Sequence, residues 1–248
     1  MIHLSFYFIL LLFSISNSAI GQNKKTVDEF DKVIISPHIQ VSFIEGNEES
    51  VTVVKNNESD EKLNIEVKNK TLRVYLDDAK EIPKNEKVTK NGMEMKIPIY
   101  KGTVVTAIIT YKTLKELSLR GEEIIVCESP LKENNFRLKI YGESNVTLNE
   151  VDFKSLETSI YGESILNIKS GKIIEQKITA YGASEINALD VKTQTTKITA
   201  YGDSSLHINA DEEIKITAYG EPSLKYKGNP EIKKGLVLGG LQINKLEY

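Results

Sequence analysis

The dipeptide Tyr-Gly recurs at Tyr141-Gly142, Tyr161-Gly162, Tyr181-Gly182, Tyr201-Gly202 and Tyr219-Gly220, at spacings of 20, 20, 20 and 18 residues. The copies read RLKIYGESNVTL, ETSIYGESILNI, KITAYGASEINA, KITAYGDSSLHI and KITAYGEPSLKY, preceded by a degenerate copy, LSLRGEE, with Arg120-Gly121 in the Tyr-Gly place. Apolar residues alternate with polar ones on both sides of each glycine, as in Leu138 and Ile140 before Gly142 and Val146 and Leu148 after it, which is the period of strand, turn, strand. A unit this short cannot enclose a core alone, so successive copies must stack and share one. No stretch beyond the leader described below sustains helical spacing, and the primed-turn dipeptides of hairpins are missing from the repeats. The expected fold is therefore all-β: a right-handed parallel β-helix with coils of about 20 residues and an irregular N-terminal β region. Glycine marks a corner that needs positive φ or has no room for a Cβ.

Alternation that turns Ile178 and Ala180 inward turns Lys177, Thr179 and Tyr181 outward. Tyr141, Tyr161, Tyr181, Tyr201 and Tyr219 are thus expected to form one exposed column. They are the candidate ligand-binding residues, because aromatic rings offer rigid amphipathic contacts to sugar faces or partner side chains. The competing reading is that like stacks on like and the column serves only coil stacking. Two places after each tyrosine stand Glu143, Glu163, Ala183, Asp203 and Glu221, an acidic row at solvated turns. Carboxylates one coil apart approach the separation of a retaining glycosidase pair, but exposed turns lack the apolar pocket that raises a catalytic pKa. Ser144, Ser164, Ser184 and Ser204 follow, with Pro222 in the last copy, and are expected to satisfy the turn backbone. His207 lies three residues past Ser204, with no orienting Asp and no oxyanion signature, so no triad is read.

Residues 4–15 form an apolar run too short to span a bilayer, and Ala19 and Gly21 occupy the minus-three and minus-one places for cleavage before Gln22. Residues 1–21 are expected to be a signal peptide, the alternative being an uncleaved anchor. Residues 22–115 would form the N-terminal β region and first coils, 116–232 the repetitive coils and 233–248 a C-terminal cap. Asp77 to Glu94, rich in lysine, reads as an exposed loop or hairpin. Export places the chain in the periplasm, on the cell surface or outside the cell, with no membrane-spanning segment in the mature chain.

A net charge of -3 offers nothing to a phosphate backbone, so nucleic acid is not expected as a partner. The one cysteine, Cys127, excludes an internal disulfide or CxxC pair and reads as a small buried hydrophobe. Removal of His3 with the leader leaves His38 and His207 far apart, so no metal site and no cofactor are expected. Sequons begin at Asn57, Asn69 and Asn145 and carry no weight by themselves.

The order of exported leader, DEFDKVIISPHIQVSFIEG, NKTLRVYL, KIPIYKGTVVTAIITYKTLKELSLRGE, glycine-cornered coils and YKGNPEI resembles the head GIN domain family, described as auto-transporter adhesins and widespread in Bacteroidota. The resemblance covers nearly all of the mature chain. It implies a right-handed parallel β-helix at the cell envelope and no catalytic set. Arg or Tyr before the corner glycine departs from the family's L-x-G-x-G pattern. The expected function is a non-catalytic, adhesin-like binding solenoid whose partner is an envelope polysaccharide, a host glycan or another envelope protein. The alternatives are a carbohydrate-active β-helix lyase or hydrolase and a self-associating envelope scaffold.

Overall fold

The computed structural model describes residues 23–90 and 93–247; the leader expected over 1–21 lies outside the described residues. Apart from one two-stranded hairpin, every strand among the described residues joins a 19-stranded sheet wound as a β-solenoid of about 6 turns. Among the described residues the single helical element is the short 3-10 turn Asp60–Lys62.

In each coil one strand runs into the Tyr-Gly corner, a short strand follows it, and a third run bends into the next coil, as in Leu131–Gly142, Asn145–Leu148 and Val151–Gly162. Every copy pairs parallel with the next and in register: Tyr141 with Tyr161, Tyr161 with Tyr181, Tyr181 with Tyr201, and Tyr201 with Tyr219. The inward positions form apolar ladders, Ile140, Ile160, Ala180, Ala200 and Ala218 on one face and Val146, Leu166, Ile186, Leu206 and Leu224 on the next, all fully buried. Burial of each larger aliphatic side chain contributes about 1.5–3 kcal/mol, and the core is continuous because each coil covers its neighbour.

The corner glycines meet both requirements read from the sequence. Gly162 has φ +98°, and a Cβ there would lie 2.3 Å from the carbonyl oxygen of Gly142 in the coil before it. Beside them the serines are buried and tie successive turns together. Ser144 Oγ donates to Gly121 O at 2.9 Å, Ser164 Oγ to Gly142 O at 2.8 Å and Ser204 Oγ to Gly182 O at 3.1 Å.

At the N-terminal end the order in space departs from the order in sequence. Lys32–Ile35 pairs parallel with Glu116–Gly121 on one side and Thr71–Leu76 on the other, while Ile39–Glu45 lies between Ile124–Cys127 and Val105–Tyr111. Thr71–Leu76 and Val105–Tyr111 therefore form the outermost coil. Its open edge is covered by the antiparallel strands Leu63–Lys68 and Ser50–Asn56, with Asn23–Thr26 added outside the latter. Such covering satisfies strand edges that would otherwise template association. At the corner of this outermost coil residues 77–104 are inserted, carrying the hairpin Asn85–Lys90 and Met93–Pro98. The Tyr100 hydroxyl donates to Asp77 O at 2.9 Å, closing the base of the insertion. At the other end Glu231–Leu238 and Gln242–Lys245 continue the parallel stacking.

Candidate functional site

The five tyrosines stand outward from one face as a ladder. Ring centroids are 4.9, 4.6, 4.7 and 4.8 Å apart along it, with interplanar angles between 4° and 7°. The spacing is that of hydrogen-bonded strands, so the rings are set by the backbone beneath them. Each pair contributes about 0.5–1.5 kcal/mol beyond the area it buries. Stacking also decides what the ladder offers. Each inner ring has both faces covered by its neighbours; Tyr161 and Tyr181 are half-buried, and Tyr201, at 37%, is the most exposed of the five. Solvent meets ring edges and hydroxyls, whereas a sugar laid flat on an inner ring would need the stack to part. Burial first, and then the neighbouring Tyr181 and Tyr141 phenols, hold the Tyr161 phenol above its ordinary pKa, so it remains a neutral donor.

Glu143, Glu163, Asp203 and Glu221 lie exposed along the corner beside the ladder. Asp203 accepts a hydrogen bond from the backbone N–H of Glu221 at 3.2 Å. Ser204 and His207 do not work together: the serine is buried against Gly182 O, while His207 pairs with Asn187 at the end of an asparagine ladder on the adjoining face. Cys127 is fully buried, and burial raises its thiol pKa far above the ordinary value. Among the described residues no group of three His, Cys, Asp or Glu side chains could hold a metal ion.

At the N-terminal end of the ladder the insertion and the corner column enclose a cleft of about 590 Å³, within the span of about 300–1,000 Å³ usual for small-ligand sites. Ile82 and Pro83 from the insertion face Arg120, Gly121, Tyr141 and Gly142 across it. Arg120 occupies the tyrosine place of the degenerate copy, in register with Tyr141. Its guanidinium lies 5.0 Å from the Tyr141 ring centroid, ending the ladder with a cation–π contact, and its Nη2 pairs with Glu81 at 3.0 Å. Glu81 also pairs with Arg73, and these guanidinium groups hold its carboxyl below the usual range.

Glu123 takes the place of the buried serines in that same copy. It is 6% exposed, accepts the backbone N–H of Glu122 at 3.0 Å, and desolvation raises its pKa. His38 Nδ1 lies 4.0 Å from the Glu123 carboxylate and donates to Gly102 O at 2.8 Å. With φ 71°, His38 is a non-glycine residue in the left-handed region, a conformation that concentrates at functional sites.

The sequence brings the tyrosines together as the structure has them, but it does not point to the cleft. The signal was present in LSLRGEE, where the repeat exchanges Tyr for Arg and Ser for Glu at the very copy that meets the insertion. Breaks in a regular pattern mark sites whose residues serve something other than the pattern.

Residues 29–230 match the family model described as "Putative auto-transporter adhesin, head GIN domain". The chain belongs to the head GIN domain family. No curated protein matches the sequence. Solved structures share the fold of this head GIN chain. A protein described as a putative adhesin from Bacteroides fragilis is 19% identical with a TM-score of 0.73, the alignment covering 91% of this chain and 96% of that one. A second described in the same words, from Parabacteroides merdae, is 21% identical with a TM-score of 0.65, covering 93% and 98%. A protein from Parabacteroides distasonis described as a putative lipid binding protein is 19% identical with a TM-score of 0.63, covering 91% and 96%. At these identities the likeness is one of fold. Among the described residues of this head GIN chain, no helix is long and apolar enough to cross a membrane.

Proposed function

We propose that this chain is a non-catalytic, adhesin-like binding module of the cell envelope, and that it engages its partner along the corner edge formed by the tyrosine ladder and the acidic row. The observation that carries this reading is the alignment of five phenols at coil spacing within 7° of parallel. A straight row of identical donors and ring edges suits a partner that itself repeats, such as an extended polysaccharide, and the ordered rings lose little conformational entropy on binding. The acidic row favours a neutral or basic partner over an anionic one. A family described as adhesins supports a binding role and an envelope location.

The test is binding of the mature protein to envelope polysaccharides and to host glycans, compared with the triple variant Tyr161→Ser/Tyr181→Ser/Tyr201→Ser. The proposal expects loss of binding in a variant whose far-UV circular dichroism still reports the β-solenoid. Undiminished binding by that folded variant removes the ladder as the contact surface. Lipid vesicles form a further arm, because one structural neighbour is described as lipid binding; retention on vesicles but not on glycans would redirect the partner class.

A further inference from the structure

We infer that the C-terminal end of the solenoid is a strand-pairing surface fitted to a second copy of this chain, and that Lys234 and Lys245 hold it closed. The inference concerns the end of the stack and stands whatever the tyrosine ladder binds.

The two ends of the stack are finished differently. At the N-terminal end antiparallel strands cover the outermost coil. At the other end Glu231–Leu238 pairs with Ser205–Tyr219 and Gln242–Lys245 with Ser223–Lys227, and among the described residues no strand pairs with their outer edges. An unpaired edge of this kind is a template for another strand. The core also ends here: Ile232, Leu241 and Ile243 are only partly buried, and Leu236 and Leu238 are each 56% exposed. The strand Glu231–Leu238 is complementary to itself. Placed antiparallel, with Ile232 opposite the same residue of the second copy, each Glu231 faces a Lys233, as a two-fold interface requires.

Two inward residues stand in the way. Ile178, Ile198 and Ile216 stack in register in one buried column, and the next residue of that column is Lys234. In another column the buried Ile208 is followed by the half-buried Tyr226 and then by Lys245. Both lysines are exposed, and Lys245 Nζ donates to Asn229 Oδ1 at 2.6 Å. A lysine in such a place can lie along apolar surface and still keep its ammonium in water. A second copy laid on the edge would remove the ammonium groups of both copies from water. The remaining inward residues paired in the last coil, Ile232, Val237 and Ile243, offer them no carboxylate. Inward-pointing charge is one of the ways in which an edge strand is kept from pairing.

The experiment is sedimentation velocity of the mature protein over a concentration series, with hydrogen–deuterium exchange to locate any contact. Wild type should sediment as a monomer, with the outer edge of Glu231–Leu238 unprotected. Lys234→Met/Lys245→Met keeps two long side chains and removes their charge. It should associate at a concentration at least about 100-fold lower than wild type, the effect of relieving two unpaired buried charges, with new protection confined to residues 231–245. Lys215→Met/Lys225→Met removes as much charge from exposed outward places on the preceding coil and should sediment as wild type does. Each single variant, Lys234→Met or Lys245→Met, should show part of the effect and carries the test if circular dichroism finds the double variant unfolded. The inference is overturned if the folded variants associate no more readily than wild type, if the outward pair associates as readily as the inward pair, or if wild type already pairs through this edge.

Discussion

Substitution Gly162→Ala tests the physical basis of the repeat at one of its corners. Two costs add. Alanine must adopt φ +98°, outside the regions open to an L-residue, at about 1–3 kcal/mol. Its Cβ would also lie 2.3 Å from Gly142 O, an oxygen that cannot retreat freely because it accepts Glu163 N–H at 3.0 Å and Ser164 Oγ at 2.8 Å. Weakening those two bonds costs about 0.5–1.5 kcal/mol each. The expected loss is about 2–6 kcal/mol, the sum of the strain and the two bonds. Gly102→Ala supplies the control, since Gly102 has φ +57° but nothing within 4 Å of an added Cβ. It carries the backbone cost alone, about 1–2 kcal/mol. Urea unfolding of both variants against wild type gives the comparison, read as a fall in midpoint. If Gly162→Ala is no less stable than Gly102→Ala, close approach between coils does not explain the glycine column.

Glu123 makes stability depend on pH in a direction opposite to that of an ordinary paired carboxylate. Burial raises its folded pKa above the unfolded value, so between the two the native state holds a proton the unfolded chain has lost. Its contribution therefore falls as pH rises from the ordinary carboxylate range through the folded pKa. The stability of wild type minus Glu123→Gln, followed by urea unfolding across that range, should decline with pH; a flat or rising difference refutes the assignment. Glu157, held low by Lys177 and Arg137, acts the other way but is common to both proteins and cancels. Cys127, buried and with its thiol pKa raised, should resist a thiol-reactive reagent in the native protein and react fully in denaturant. Labelling of the native protein at the rate of a free thiol would contradict its placement.

Much of the solenoid was legible because its contacts join equivalent residues one period apart. In such a fold the repeat in the sequence is the register in space: Tyr161 sits over Tyr141 because twenty residues make one coil. Alternation then assigns each strand column inward or outward, and the corner glycines and the serines that satisfy the turn backbone follow, while the burial of those serines belongs to the structure. The tyrosine ladder was also placed by this reasoning, but the spacing could not say that the rings would lie face to face and cover one another.

The N-terminal third behaves differently. Nothing periodic indicates that Lys32–Ile35 is sandwiched between Thr71–Leu76 and Glu116–Gly121, or that residues 77–104 leave the outermost coil at its corner. Those placements depend on which strand edge remains open when each segment arrives, a property of the assembled stack. The cleft follows from them, since Ile82, His38 and Tyr141 are far apart in the chain and meet only after the coils have closed. The amino-acid sequence by itself determined the coil, its period and the side-chain columns, because these arise from local alternation repeated at a constant interval. Tertiary structure alone decided the order of the first coils, the covering of their edge and the pocket at the ladder's end, because those contacts are non-local and repeat nowhere.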